Sequence, residues 1–173
     1  MMFKIKSLKL ALNRRTPPPT PHSIWTNPIH YLACGCGLGC LPIMPGTFGT
    51  LAGIVVYLML VPLTLTQMLL AIVALNVLGV WLCGTTNRDL GFNDHPAACF
   101  DEIAAFPICL IGISPTLPHI LLAFVLFRIL DILKPPPINW IDQHVHGGIG
   151  VMLDDIVAAI VTLAIMSAVT LLT

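Results

Sequence analysis

The chain has 173 residues, of which 57% are apolar and only 9% charged, and its net charge is zero. The length suits one domain with a core of its own; the charge does not suit a water-soluble surface, since globular domains carry about 25% charged residues, and the composition points to a membrane protein. Five of the eight Lys and Arg (Lys4, Lys6, Lys9, Arg14, Arg15) fall in the first fifteen residues, which leaves the body no basic stripe for nucleic acid.

The opening "MMFKIKSLKLALNRR" has no uninterrupted apolar stretch and does not read as a cleaved signal peptide. It reads either as a short basic helix lying on a membrane or as a tail whose charge orients the chain toward the cytoplasm. "TPPPTPH" breaks any helix, so residues 1–27 form a basic, Pro-rich lead and residues 28–173 the folded domain. Next comes "CGCGLGC", with Cys34, Cys36 and Cys40. Its spacing lacks the paired ligands of a zinc site, and small reduced thiols packing like Ala or Ser are the better reading.

Four apolar regions follow, at 51–66, 67–84, 103–127 and 156–173. A bilayer core takes about 20 residues to span. The second and fourth regions approach that length, whereas the first is short and carries Pro62. The third is interrupted by Pro107, Pro115 and Pro118, and reads either as two half-length pieces or as buried helices. The fold expected is all-α, a compact multihelical bundle embedded in or associated with a membrane. If the first two regions form a hairpin and the third turns back, Arg88, Arg128 and Lys134 return to the side that holds the basic N-terminus.

Because charges are so few, their positions carry most of the information. Six of the eight acids fall in three short stretches: "FNDHPAACFDEIAAF" with Asp94, Asp101 and Glu102; "FRILDILKPPP" with Asp131; and "GVMLDDIVAA" with Asp154 and Asp155. Helical spacing lets Arg128, Asp131 and Lys134 face one neighbour. Single acids of this kind commonly lock helix ends as ion pairs. Crowded carboxylates in a low-dielectric site, however, cannot all ionise without a cation, and an all-oxygen donor set favours a hard ion such as Mg²⁺. A divalent metal beside Arg and Lys is the combination that neutralises phosphoryl oxygens.

The glycines of "GCGLGCLPIMPGTFGT" (Gly35, Gly37, Gly39) suit either a ligand approaching the backbone or close helix packing. Gly46 and Thr47 precede an apolar helix whose first N–H groups suit an anion. No nucleotide P-loop is present. "CGTTNR", Cys83 to Arg88, has four intervening residues where a cysteine phosphatase needs five. His95, His144 and His146 remain as acid or base candidates, the latter two in a solvated loop.

The segments "GLGCLPIMPGTFGTLAGI", "DHPAACFDEIAAF" and "FRILDILKPPPINWIDQHVHGGIGVMLDDIVAAI" resemble, in that order, the bacterial phosphatidylglycerophosphatase A family, over roughly residues 30–163. Pro96 and Ala105 depart from its pattern, where small residues such as Gly are common. The resemblance implies a multihelical, Mg²⁺-dependent phosphatase of the cytoplasmic (inner) membrane, its site facing the cytoplasm, that converts the phospholipid phosphatidylglycerophosphate to phosphatidylglycerol. Carried over by position, Glu102, Asp154 and Asp155, with Asp101, would hold the metal. Arg128 and Lys134 would clamp the phosphate beside Gly46, Thr47 and Asp94, and Asp131 would act as base, with Asp101 also in the catalytic set. The alternative of another class is a small cation-coupled transporter, since acids within a membrane also mark ion pathways. A homo-oligomer is compatible with either reading.

Overall fold

The computed structural model describes residues 22–172; the basic opening segment lies outside them. Every regular element among the described residues is helical. Short helices α1 (Ser23–Thr26) and α2 (Pro28–Ala33) lead through 3-10 turns at Gly35–Cys40 into α3 (Pro45–Leu60) and α4 (Leu65–Leu90). Then come α5 (Phe100–Ala105), a 3-10 turn over Phe106–Leu110, α6 (Leu117–Leu133), α7 (Ile138–His144) and α8 (Gly147–Leu172).

Local chemistry sets most of these limits. Pro45 opens α3, where its missing N–H costs nothing. Thr64 and Gln67 form a capping box at the start of α4, and Gly91 closes that helix in the left-handed conformation, φ 74°. Pro135 disfavours helical geometry in the residue before it. Lys134 accordingly leaves α6 in the left-handed conformation, with φ 43°.

The third apolar region resolves into two pieces. Asp101 to Leu110 is buried throughout, and α6 returns beside it. Irregular backbone is tolerated inside a bilayer only where protein encloses it and its polar groups find partners. Here Asn76 Nδ2 donates to Ala104 O (3.0 Å), at the point where α-helix gives way to 3-10 turn. Tyr57 OH donates to Ile113 O (3.2 Å) in the turn beyond. Phe106 and Phe127 meet edge to face, with centroids 6.0 Å apart, at the centre of the core.

Helix α8 begins nine residues before the apolar region at 156, so Asp154 and Asp155 lie two turns inside it and not at its mouth. Gly147, Gly148 and Gly150 lie in the first turn of α8, where α4 crosses. Gly84 faces Gly148, where a Cβ would overlap the Val80 carbonyl, and Met152 covers Gly79. Small residues thus let two long helices approach closely.

This antiparallel packing gathers the start of α3, the end of α4, the end of α6 and the start of α8 at one end of the bundle. All the Asp, Glu, Lys and Arg among the described residues belong to that end, and the opposite turns at 61–64 and 111–116 carry none. Helices α4 and α8 are each long and apolar enough to cross a membrane, yet only 33% and 28% of their apolar windows are buried inside the protein. Leu70, Val73 and Val77 on α4 and Leu121, Val125 and Ile132 on α6 face outward. In water such faces would be large exposed apolar patches; against acyl chains they need no cover, which supports a membrane location. All six cysteines are free, and Cys34, Cys83, Cys99 and Cys109 are buried as small apolar fillers.

Candidate active site

A cavity of about 140 Å³ opens at the charged end of the bundle. Gly46 of α3, Asp101 and Glu102 of α5, Asp131 and Lys134 at the end of α6, and Asp154 and Asp155 of α8 line it, together with Asp94 and His95 from the α4–α5 loop. Three helices far apart in sequence, with the loop that precedes α5, therefore contribute acids to one space.

The cations are engaged. Arg128 Nη1 donates to Glu102 Oε1 and Asp131 Oδ2, each at 2.7 Å, and reaches Thr50 Oγ1 at 3.4 Å. Thr50 in turn donates to Gly46 O (3.0 Å), tying the first turn of α3 to this pair. Lys134 Nζ donates to Asp142 Oδ1 (2.6 Å) and to Asp154 Oδ2. Asp101 Oδ1 accepts the Glu102 N–H (2.9 Å), and Asp154 Oδ1 accepts the Asp155 N–H (3.1 Å). No ion pair among the described residues reaches Asp101 or Asp155, and Glu102 Oε2 is buried without a hydrogen-bond partner.

Burial raises the Glu102 pKa to about 7, although Arg128 pulls in the opposite direction. Asp101 is raised well above the usual carboxylate range, first by burial and then by the charge of Glu102. Burial lowers the Lys134 pKa, but its hydrogen bonds to Asp142 and Asp154 outweigh that and hold it charged, with a net rise.

Six acids (Asp94, Asp101, Glu102, Asp131, Asp154, Asp155) thus surround a space served by two cations. The excess of negative charge, the all-oxygen donor set and the orphaned Glu102 Oε2 fit a hard divalent cation. No group of three His, Cys, Asp or Glu among the described residues is already arranged to hold one. Glu102 and Asp154 are held by Arg128 and Lys134, so binding would redistribute these pairs.

Of the residues singled out from sequence, Gly46, Asp94, Asp101, Glu102, Asp131, Lys134, Asp154 and Asp155 meet at the cavity. Arg128 and Thr47 do not line it; Arg128 stands behind the wall, 14% exposed, gripping two of its acids. At the first turn of α3, expected to receive a ligand anion, Gly46 lines the cavity and the Glu102 carboxylate lies against it. A Cβ on Gly46 or Gly49 would overlap the Glu102 carboxylate. Gly35, Gly37 and Gly39 serve packing: a Cβ on Gly39 would overlap the Ala97 carbonyl, and Gly37 lies against Trp25. His144 stacks on Trp140, away from the cavity. Sequence reasoning missed Asp142 and Thr50. Neither shares a helix with its partner, and the only available signal was that Asp142 is one of just two acids outside the three clusters.

The profile of the phosphatidylglycerophosphatase A family matches residues 31–170. The chain belongs to that family. Phosphatidylglycerophosphatase A of Escherichia coli K12 is 41% identical to it over 143 residues, covering 82% of this chain and 83% of the relative. Phosphatidylglycerophosphatase A of Haemophilus influenzae is 41% identical over 145 residues, covering 83% and 89%. No solved structure matches. The span shared with the phosphatidylglycerophosphatase A family takes in every residue that lines the cavity.

Proposed function

We propose that the chain is a Mg²⁺-dependent lipid phosphatase that hydrolyses the terminal phosphate of phosphatidylglycerophosphate to give phosphatidylglycerol and inorganic phosphate. The observation that carries this reading is the surplus of carboxylates around one cavity, beside Lys134, in a chain of this family. Glu102, Asp154 and Asp155, with Asp101, would hold the ion. Bound there, Mg²⁺ supplies charge neutralisation and polarisation of the phosphoryl oxygens.

The chain's own residues account for the rest. An incoming phosphate competes with Asp142 and Asp154 for Lys134, and Arg128, behind the wall, would reach it only by turning from Glu102 and Asp131. Each cation that turns to phosphate releases carboxylates. Asp131, on the cavity wall, takes a proton from the attacking water as the bond to phosphorus forms. The ester oxygen leaves as the alcohol of phosphatidylglycerol, taking up the proton that Asp131 holds and so restoring the carboxylate. The buried wall keeps these charges in a low-dielectric setting, where preorganised donors act most strongly.

The location of the site follows the substrate. A phosphorylated headgroup on an acyl anchor reaches a cavity at the charged end of an apolar bundle without leaving the bilayer. Arg88, Arg128 and Lys134 at that end support a cytoplasmic orientation at the inner membrane, by the bias of positive loops toward the cytoplasm. A transporter would need polar groups along a path between two faces, and the acids among the described residues are confined to one end.

The test is phosphate release from phosphatidylglycerophosphate by the detergent-purified chain, with Mg²⁺ and with EDTA, for wild type and Asp154→Asn. Turnover that needs the metal and falls at least a hundredfold in the variant is expected. Metal-independent release, or near wild-type turnover in Asp154→Asn, would remove the assignment.

A further inference from the structure

His95 sits in the cavity wall with a donor that nothing in the chain uses. It is 1% exposed, and both its backbone and its ring are held. Asn87 Oδ1, at the end of α4, accepts the His95 backbone N–H (3.0 Å), and His95 O accepts the Ala98 N–H (2.8 Å). Phe92 meets the imidazole edge-on, with centroids 4.7 Å apart. The Ala97 backbone N–H donates to His95 Nδ1 (3.1 Å).

That last bond decides the tautomer. A nitrogen that accepts a backbone N–H carries no proton, so in the neutral ring the proton is on Nε2. Protonating Nδ1 as well would set two donors against each other, and burial also lowers the ring's pKa. The imidazole is therefore a neutral, single donor held in one orientation. Its Nε2 is buried and has no hydrogen-bond partner. Buried donors are almost always satisfied, and leaving one unmade is costly. A rigidly oriented donor left unpaired in the wall of a site is the pattern expected where a ligand completes the bond.

We propose that His95 Nε2–H donates to a non-bridging oxygen of the bound phosphate group, as an uncharged contact beside the charged ones from Lys134 and Arg128. The chemistry recognised is a phosphate monoester or free phosphate; that the monoester is a lipid headgroup rests on the function proposed above. A neutral donor has a specific advantage at this site. A third cation would compete with the metal for the acids of the cavity, whereas an imidazole N–H grips phosphate without neutralising a carboxylate.

The experiment uses the full chain in detergent with Mg²⁺ present, as wild type, His95→Ala and His95→Gln. It reads kcat and KM for phosphatidylglycerophosphate, Ki for inorganic phosphate, and the rise in Tm that inorganic phosphate produces. His95→Ala is expected to raise KM and Ki together by about tenfold or more, equivalent to ~1.4 kcal/mol, and to cancel most of the Tm rise. His95→Gln, whose amide N–H₂ reaches toward the Nε2 position, recovers part of both. KM and Ki within twofold of wild type in His95→Ala would overturn the contact. So would equal losses in Ala and Gln accompanied by a lower Tm without phosphate, which is the mark of a purely structural role. If wild type releases no phosphate from the lipid, yet phosphate raises its Tm and His95→Ala removes that rise, the assigned reaction fails and the contact stands. No turnover and no Tm rise in wild type would overturn both.

Discussion

Glu102 offers the sharpest test of how the site is built, because its effects on activity and stability should run in opposite directions. Its ordinary pKa is 4.5, and burial lifts it to about 7 even with Arg128 at 2.7 Å. The unfolded chain therefore ionises first as pH rises. Folding stability falls between about pH 4.5 and pH 7, and is level above that. Each tenfold step across that gap is worth ~1.4 kcal/mol, so the ionised carboxylate costs the metal-free fold roughly 3 kcal/mol at pH 8. Glu102→Gln keeps the shape and removes the charge. In EDTA and detergent, the variant should melt several degrees above wild type at pH 8 and level with it at pH 5. Its phosphatase activity should be lost at both, because the orphaned Oε2 acceptor has become an amide. A Tm difference of the same size and sign at pH 5 and pH 8 would refute the claim that the ionised, buried Glu102 is held against the stability of the fold.

Arg128→Ala removes the partner from two buried carboxylates at once and should cost roughly 3–5 kcal/mol at pH 8. Less should be lost at pH 5, where Glu102 takes up a proton, and thermal unfolding at the two pH values reads the difference. Gly46→Ala places a methyl group where the Glu102 carboxylate lies. The carboxylate is the far end of a side chain and can swing away, so Tm should change little while kcat falls at least tenfold. A large Tm drop with kcat retained would show that the contact serves packing alone.

The charged end of the bundle was legible because charges are rare. In a chain with 9% charged residues, three acid clusters at the ends of apolar stretches have few places to go. The two long helices were legible for the same reason that they suit lipid: they are apolar all round, and length alone identifies them. Two other features depended on contacts that the sequence pattern does not display. The third apolar region could not be divided by periodicity, because the bonds that let it break, from Asn76 to Ala104 and from Tyr57 to Ile113, come from other helices. The tautomer of His95 rests on a backbone N–H two residues away, which only the turn geometry brings to Nδ1.

Glycine was the residue type whose role the sequence left most open, and the structure gives one physical reason. Gly39 suited either a ligand approach or close packing, Gly46 suited a ligand-binding helix start, and Gly148 carried no separate reading. In each case the volume of the missing Cβ is taken by another part of the same chain: the Ala97 carbonyl, the Glu102 carboxylate and the Val80 carbonyl. Gly in a helix costs about 1 kcal/mol against Ala, so Gly148 opposes α8 when read alone. It favours α8 once α4 is beside it, because the close approach recovers packing over the whole crossing. At Gly46 the same close approach does chemical work: it allows a carboxylate to lie against the first turn of α3, within reach of Arg128, in the position the site needs for its acid. A glycine without a Cβ therefore marks a close approach, and the identity of the approaching group, backbone or carboxylate, separates a packing glycine from one that shapes the active site.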